Sequence, residues 1–195
     1  MHLTKSVVVG LLATAVAWAK PVLHLDFERD PTGFEVVGDV TFELGPRLPE
    51  YPHFAKDNRA GIFDGSGRLV IKDSGKGSPL DFDNGDAITL EAWVSSGMIG
   101  EGDNVYLIGK GRTNNKGFAA NNQNYALRLR GQGGEGCVSF LFFSRPEKGK
   151  HGEWHRWTSD TGVLAEDGWS HVAVTYEFGK PKSVKGYVDG KPVAG

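Results

Sequence analysis

Two groups of side chains in this 195-residue sequence have the types and spacing for chemistry. The first is Trp154-His155-Arg156-Trp157, together with the amide-rich run that contains Asn121, Asn122 and Asn124. An indole face packs against the apolar face of a sugar ring, and planar amides fix hydroxyls by paired hydrogen bonds. Trp154 and Trp157 are three places apart, so a regular strand puts them on opposite faces. Packing therefore competes with binding as the reason for at least one of them. The second group is Asp81, Asp83 and Asp86, which with Asn84 and Gly85 concentrate hard oxygen ligands of the kind calcium takes. Gly85 stands at the fifth place of that run, where an EF-hand loop needs it at the sixth. Asp, Asn and Gly are also the residues of an ordinary solvated turn.

Zinc has weaker support. His151 and His155 are four apart, but Glu153 is two places past the first histidine and not adjacent to it, and Gly152 disfavours the helix that H-E-x-x-H requires. A polar loop is expected there. Cys137 is the single cysteine, so no internal disulfide forms, and its place in a strand-like run predicts a buried thiol.

These groups have to be held by strands. Short apolar runs separated by Gly, Asn, Asp and Ser predict strands at 22–27, 60–65, 67–71, 87–94, 105–109, 125–130 and 136–142, with one or two more inside 34–42. Two further runs, 169–176 and 186–193, end the sequence, and Asp189-Gly190 inside the second signals a type I′ hairpin turn. In 87–94 the alternation puts Ile88, Leu90, Ala92 and Val94 on the core face. In 125–130 it turns Tyr125, Leu127 and Leu129 inward and Arg128 and Arg130 toward water. Beyond the N-terminal segment no stretch has helical periodicity, so the expected fold is all-β and antiparallel, a sandwich or barrel. The Pro-rich stretch 46–52 reads as a loop within one domain.

Apolar residues make up 39% and charged residues 24%, as in a globular domain with a core. The net charge of −2, without a basic block, argues against nucleic acid and anionic membranes as partners. At the N-terminus Lys5, the apolar run 7–16 and Ala17-Trp18-Ala19 compose a secretory signal peptide spanning residues 1–19. The run is shorter than the roughly 20 residues that cross a bilayer, so the mature chain is expected to be exported, with no membrane insertion.

Several segments also resemble a known family. Trp169-Ser170-His171-Val172-Ala173-Val174-Thr175-Tyr176, then Tyr187-Val188-Asp189-Gly190, follow the pattern of LamG-like jelly rolls of the concanavalin A-like lectin/glucanase superfamily. Ile62-Phe63-Asp64-Gly65, Ile88-Thr89-Leu90-Glu91-Ala92-Trp93-Val94, Ile108-Gly109-Lys110 and Tyr125-Ala126-Leu127-Arg128-Leu129 match further steps of that pattern in order. The resemblance spans 20–195 and implies an antiparallel β-sandwich. The family pattern continues beyond the hairpin at which Gly195 stands, so it implies a C-terminally truncated jelly roll. It makes calcium at the sandwich rim an expectation, adding Asp26 and Asp64 to Asp81, Asp83 and Asp86 as candidate ligands. Hydrolytic members carry E-x-D-x-x-E on one strand face, whereas Glu91 is followed by no second carboxylate through Ser96, so no catalytic residue is expected. Trp93 and Trp169 lie inside family motifs and read as structural.

The expectation is a non-catalytic recognition module of an exported multidomain protein, binding a glycan or an extracellular protein. The rivals are an accessory domain of a secreted enzyme whose catalytic part lies beyond Gly195, and a spacer with no ligand. Intact-mass analysis of the exported product should place Lys20 at its N-terminus; a retained Met1 on exported protein would contradict the signal-peptide reading.

Overall fold

The computed structural model describes residues 21–28, 33–75, 77–111, 125–144, 153–164 and 168–195. Its strands are β1 (Glu35–Val37), β2 (Val40–Leu44), β3 (Arg59–Phe63), β4 (Arg68–Val70), β5 (Ala87–Val94), β6 (Asn104–Lys110), β7 (Tyr125–Gln132), β8 (Glu135–Ser144), β9 (Glu153–Thr158), β10 (Ser170–Glu177), β11 (Lys185–Val188) and β12 (Lys191–Val193). A 3-10 turn, Pro181–Ser183, joins β10 to β11. Among the described residues every strand pairing is antiparallel. Two four-stranded sheets, in orders β12-β11-β10-β5 and β6-β7-β8-β9, make the sandwich, and two-stranded ribbons β1-β4 and β2-β3 accompany them.

The core follows from period-two alternation. Ile88 and Val94 of β5 are buried, with Leu90 and Ala92 packed against the same cluster, while Thr89, Glu91 and Trp93 point the other way. From the facing sheet Leu127, Leu129, Val138 and Phe140 contribute side chains with no more than 1% exposure. Aromatic rings join the two sheets: Tyr176 of β10 lies 4.2 Å from Phe142 and 5.6 Å from Phe140 of β8. Phe178, just past β10, stacks on Phe82 at 5.0 Å. Burial of these large apolar faces is the main favourable term in holding the layers together. Cys137 is fully buried in β8 as a free thiol, as its strand-like surroundings suggested.

The hairpin at Asp189-Gly190 has φ of +48° and +73°, both positive as a type I′ turn demands. Three other expectations need correction. Residues 22–27 are not a strand, because among the described residues no strand pairs with them; Phe27, at φ +56°, turns its ring onto Phe42 at 5.9 Å. Residues 153–158, expected in or beside a polar loop, are strand β9, because they pair with β8 from Ser139↔Thr158 to Ser144↔Glu153. Arg128, expected to face water, is only 2% exposed. β7 is an interior strand between β6 and β8, and Arg128 stands between Tyr106 on β6 and Ser139 on β8.

As strand geometry required, Trp154 and Trp157 lie on opposite faces of β9. Trp157, opposite Phe140, packs against the core and reaches the other sheet. A Cβ added at Gly186 of β11 would stand 2.1 Å from Trp157 Cη2, so this close approach requires glycine. Gly186→Ala should therefore destabilise the chain by about 1–3 kcal/mol through overpacking, measured as a lower denaturant midpoint at unchanged slope. An unchanged midpoint would show that Trp157 does not bridge the sheets.

Candidate functional site

The β5-β10 register sets Trp93 directly opposite His171 on the outer face of the first sheet. Trp93 keeps 37% of its surface exposed. The connector between β2 and β3 supports its ring: Tyr51 meets it edge-on at 5.8 Å and Phe54 at 5.1 Å. His171 flanks it at 5.5 Å. Tyr51 is anchored in turn, since its hydroxyl accepts a 2.9 Å hydrogen bond from the Trp169 backbone N–H. The Pro-rich connector is thus a loop of this domain that braces one indole.

The β11-β12 turn closes the other side. Asp189 Oδ1 accepts from the His171 backbone N–H at 2.8 Å, and the Asp189 N–H donates to the His171 carbonyl at 2.8 Å. Trp93, His171, Asp189 and Gly190 line an open depression of about 360 Å³. Beside it Glu91 Oε2 stands 3.6 Å from His171 Nε2. A braced, half-exposed indole next to an imidazole and carboxylates presents one flat apolar surface and several hydrogen-bonding groups. Such a combination has the chemistry to stack on a sugar ring and to hydrogen-bond its hydroxyls.

The residues predicted from sequence are dispersed. Trp154 is 36% exposed on the outer face of the second sheet, where its ring meets Phe143 at 5.1 Å. Trp157 is turned into the sandwich, so the two indoles do not form one surface. Asn121, Asn122 and Asn124 lie outside the described residues, as does His151. His155 stacks on Phe142 at 4.9 Å. Trp93, which its family motif marks as structural, keeps an exposed ring. Alternation already held the signal, because a residue between Ala92 and Val94 falls on the face opposite the core.

The aspartates are also separated. Asp26 Oδ1 accepts from the Glu28 N–H at 3.2 Å. Asp64 Oδ1 accepts from the Ser66 N–H at 2.8 Å and the Ser66 hydroxyl at 2.7 Å, capping its own turn. Asp81 is ion-paired with Lys110, which also holds Asp73 at 2.6 Å. Asp86 Oδ2 accepts from the Asp83 N–H at 2.7 Å. Among the described residues no three His, Cys, Asp or Glu side chains gather as a metal site.

With the geometry in view, comparison with known proteins places the fold. A family model, Laminin_G_3 of the concanavalin A-like lectin/glucanases superfamily, matches residues 65–195. The chain belongs to this superfamily. Comparisons with curated proteins and with solved structures give no match. The laminin-G-like match covers β4 through β12, and so includes Trp93, His171 and Asp189. The supporting Tyr51 and Phe54 precede it.

Hydrogen bonds from the Ser66 side chain and backbone hold the Asp64 carboxyl below its usual range. A carboxyl with a depressed folded pKa contributes stability that is full above its unfolded value, near 4, and is lost as pH falls through the folded pKa. Melting curves of Asp64→Asn against the native chain should therefore show a deficit at neutral pH that narrows as the solution is acidified. Calcium or a chelator should leave both curves in place at pH 7. A calcium-dependent rise abolished by Asp64→Asn would contradict the assignment of this carboxylate to the turn.

Proposed function

We propose that this superfamily domain is a non-catalytic recognition module of an exported protein and that it binds carbohydrate on the Trp93 surface. The observation that carries this reading is the exposed Trp93 indole, held by Tyr51 and Phe54 edges at the mouth of the His171–Asp189 depression. A pyranose stacks its apolar face on the indole, while His171, Asp189 and Glu91 stand where its hydroxyls need donors and acceptors. The second four-stranded sheet and its core hold this surface rigid from behind.

The reading assigns no catalysis to this surface. Retaining glycoside hydrolysis needs two carboxyl groups about 5–5.5 Å apart, one of them kept protonated. Glu91 faces a histidine, and the Asp189 carboxylate is engaged by the His171 backbone. Calcium is no part of this reading.

A glycan array probed with the native chain should return carbohydrate ligands. Trp93→Ala should weaken the binding by at least about tenfold. Its stability cost should stay near 1–2 kcal/mol, because the ring is partly exposed. Trp154→Ala should leave that affinity unchanged, and no reducing ends should be released from polysaccharides. Silence across the array would favour the spacer reading, and released sugar would overturn the non-catalytic one.

A further inference from the structure

The carboxylates around the Trp93 depression have no basic side chain to balance them. Glu91 and Trp93 are two places apart on β5, so they share the outer face of the first sheet, roughly 7 Å apart along the strand. Glu91 pairs opposite the small Ala173 and Trp93 opposite His171. The Glu91 side chain is 64% exposed, with Oε2 leaning 3.6 Å from His171 Nε2. Asp189, also exposed, approaches His171 from the β11-β12 turn. No lysine or arginine lines the depression. Among the described residues none forms an ion pair with either carboxylate.

Other carboxylates of the domain are spent on the fold. Asp73 and Asp81 share the Lys110 ammonium, Glu177 pairs with Lys180, and Asp64 caps its own turn. Asp189 is held differently, since Oδ1 accepts from the His171 N–H and so fixes the carboxylate before any ligand arrives. Such preorganisation lowers the cost of binding. A neutral hydroxyl is served by almost any polar group, whereas two anionic acceptors beside an exposed indole favour a ligand that brings positive charge. The ring quadrupole draws a cation to the indole face, and an ammonium makes charge-assisted hydrogen bonds to carboxylates. An anionic sugar would be repelled by both carboxylates.

We propose that the Trp93 depression selects a sugar carrying a protonated amine, the unacetylated amino-sugar class; this selectivity rests on the carbohydrate reading of the same surface. The pyranose ring stacks on the indole. Glu91, exposed and on the same strand as that indole, receives the ammonium. Asp189, fixed by its turn, adds attraction from across His171 and accepts from a ring hydroxyl. N-acetylation of the sugar removes the charge and with it the preference. Because the site is open, the attraction is screened by salt.

The test is calorimetry on the full chain with three β-1,4-linked tetrasaccharides that differ only in the group on the second ring carbon: glucosamine, N-acetylglucosamine and glucose. The glucosamine tetramer should bind about tenfold tighter than either neutral one. That margin should shrink as sodium chloride rises from about 0.01 M to about 0.15 M. Glu91→Gln should cut the margin about fivefold. Asp189→Asn keeps an oxygen for the His171 N–H and tolerates φ of +48°, so it removes charge without the turn and should cut the margin about threefold. Glu177→Gln, at the opposite end of β10 from His171, removes the same charge elsewhere and should leave the margin intact. Tetralysine, a cation without a sugar ring, should not displace the tetramer. The selectivity would be overturned, with the carbohydrate surface still standing, by a glucosamine tetramer that binds no better than the neutral ones. A margin that both carboxylate variants leave unchanged, or displacement by tetralysine, would overturn it equally. Trp93→Ala should weaken the glucosamine tetramer at least about tenfold; binding that survives it undiminished would overturn the surface itself.

Discussion

The antiparallel pairing of β5 with β10, from Ser170↔Val94 to Glu177↔Ala87, is the constraint on which the rest of the structure depends. The chain leaves β5, builds the whole of the second sheet as β6 to β9, and only then returns as β10 to lie beside β5. Pairing strands so distant in sequence carries a loop-closure cost that local hairpins do not. It is offset on the inner face, where Val172, Val174 and Tyr176 meet the second sheet. On the outer face the same register sets Trp93 against His171. One set of backbone hydrogen bonds therefore positions both the core and the candidate site, and a slip of one residue would exchange them.

The two faces of each sheet carry different work. Inside, large rings fill the space between layers, and Gly186 leaves room for Trp157 to cross. Outside, the first sheet offers an indole bordered by an imidazole and carboxylates, whereas the second keeps Arg128 and Ser139 buried.

Much of the sandwich was legible in the sequence because its strands alternate cleanly. Ile88, Leu90, Ala92 and Val94 could be assigned to the core from spacing alone, and Asp189-Gly190 announced its turn. Failures came where tertiary context decides. Phe27 leaves the extended region to reach Phe42, which no local pattern foretells. Arg128 looked solvent-facing because alternation tells which face a residue takes but not what walls it in. Strand β9 was obscured because its polar sequence pairs only at the sheet's edge. Among the candidate site residues, spacing told that Trp154 and Trp157 take opposite faces but not which one the core takes; the pairing of β9 with β8 turns Trp157 inward. Trp93 was hidden by its own motif, since its exposure depends on a connector some forty residues upstream that braces the ring without covering it.

The account rests most on Trp93 and His171 forming one sugar-facing surface. Heteronuclear NMR of the isotope-labelled chain, titrated with a glycan that it binds, tests this directly, because each tryptophan has its own indole N–H signal. The account predicts that the Trp93 indole and the His171 ring shift first and furthest, while Trp157, inside the sandwich, stays still. Shifts centred on Trp154, with Trp93 and His171 unmoved, would contradict it.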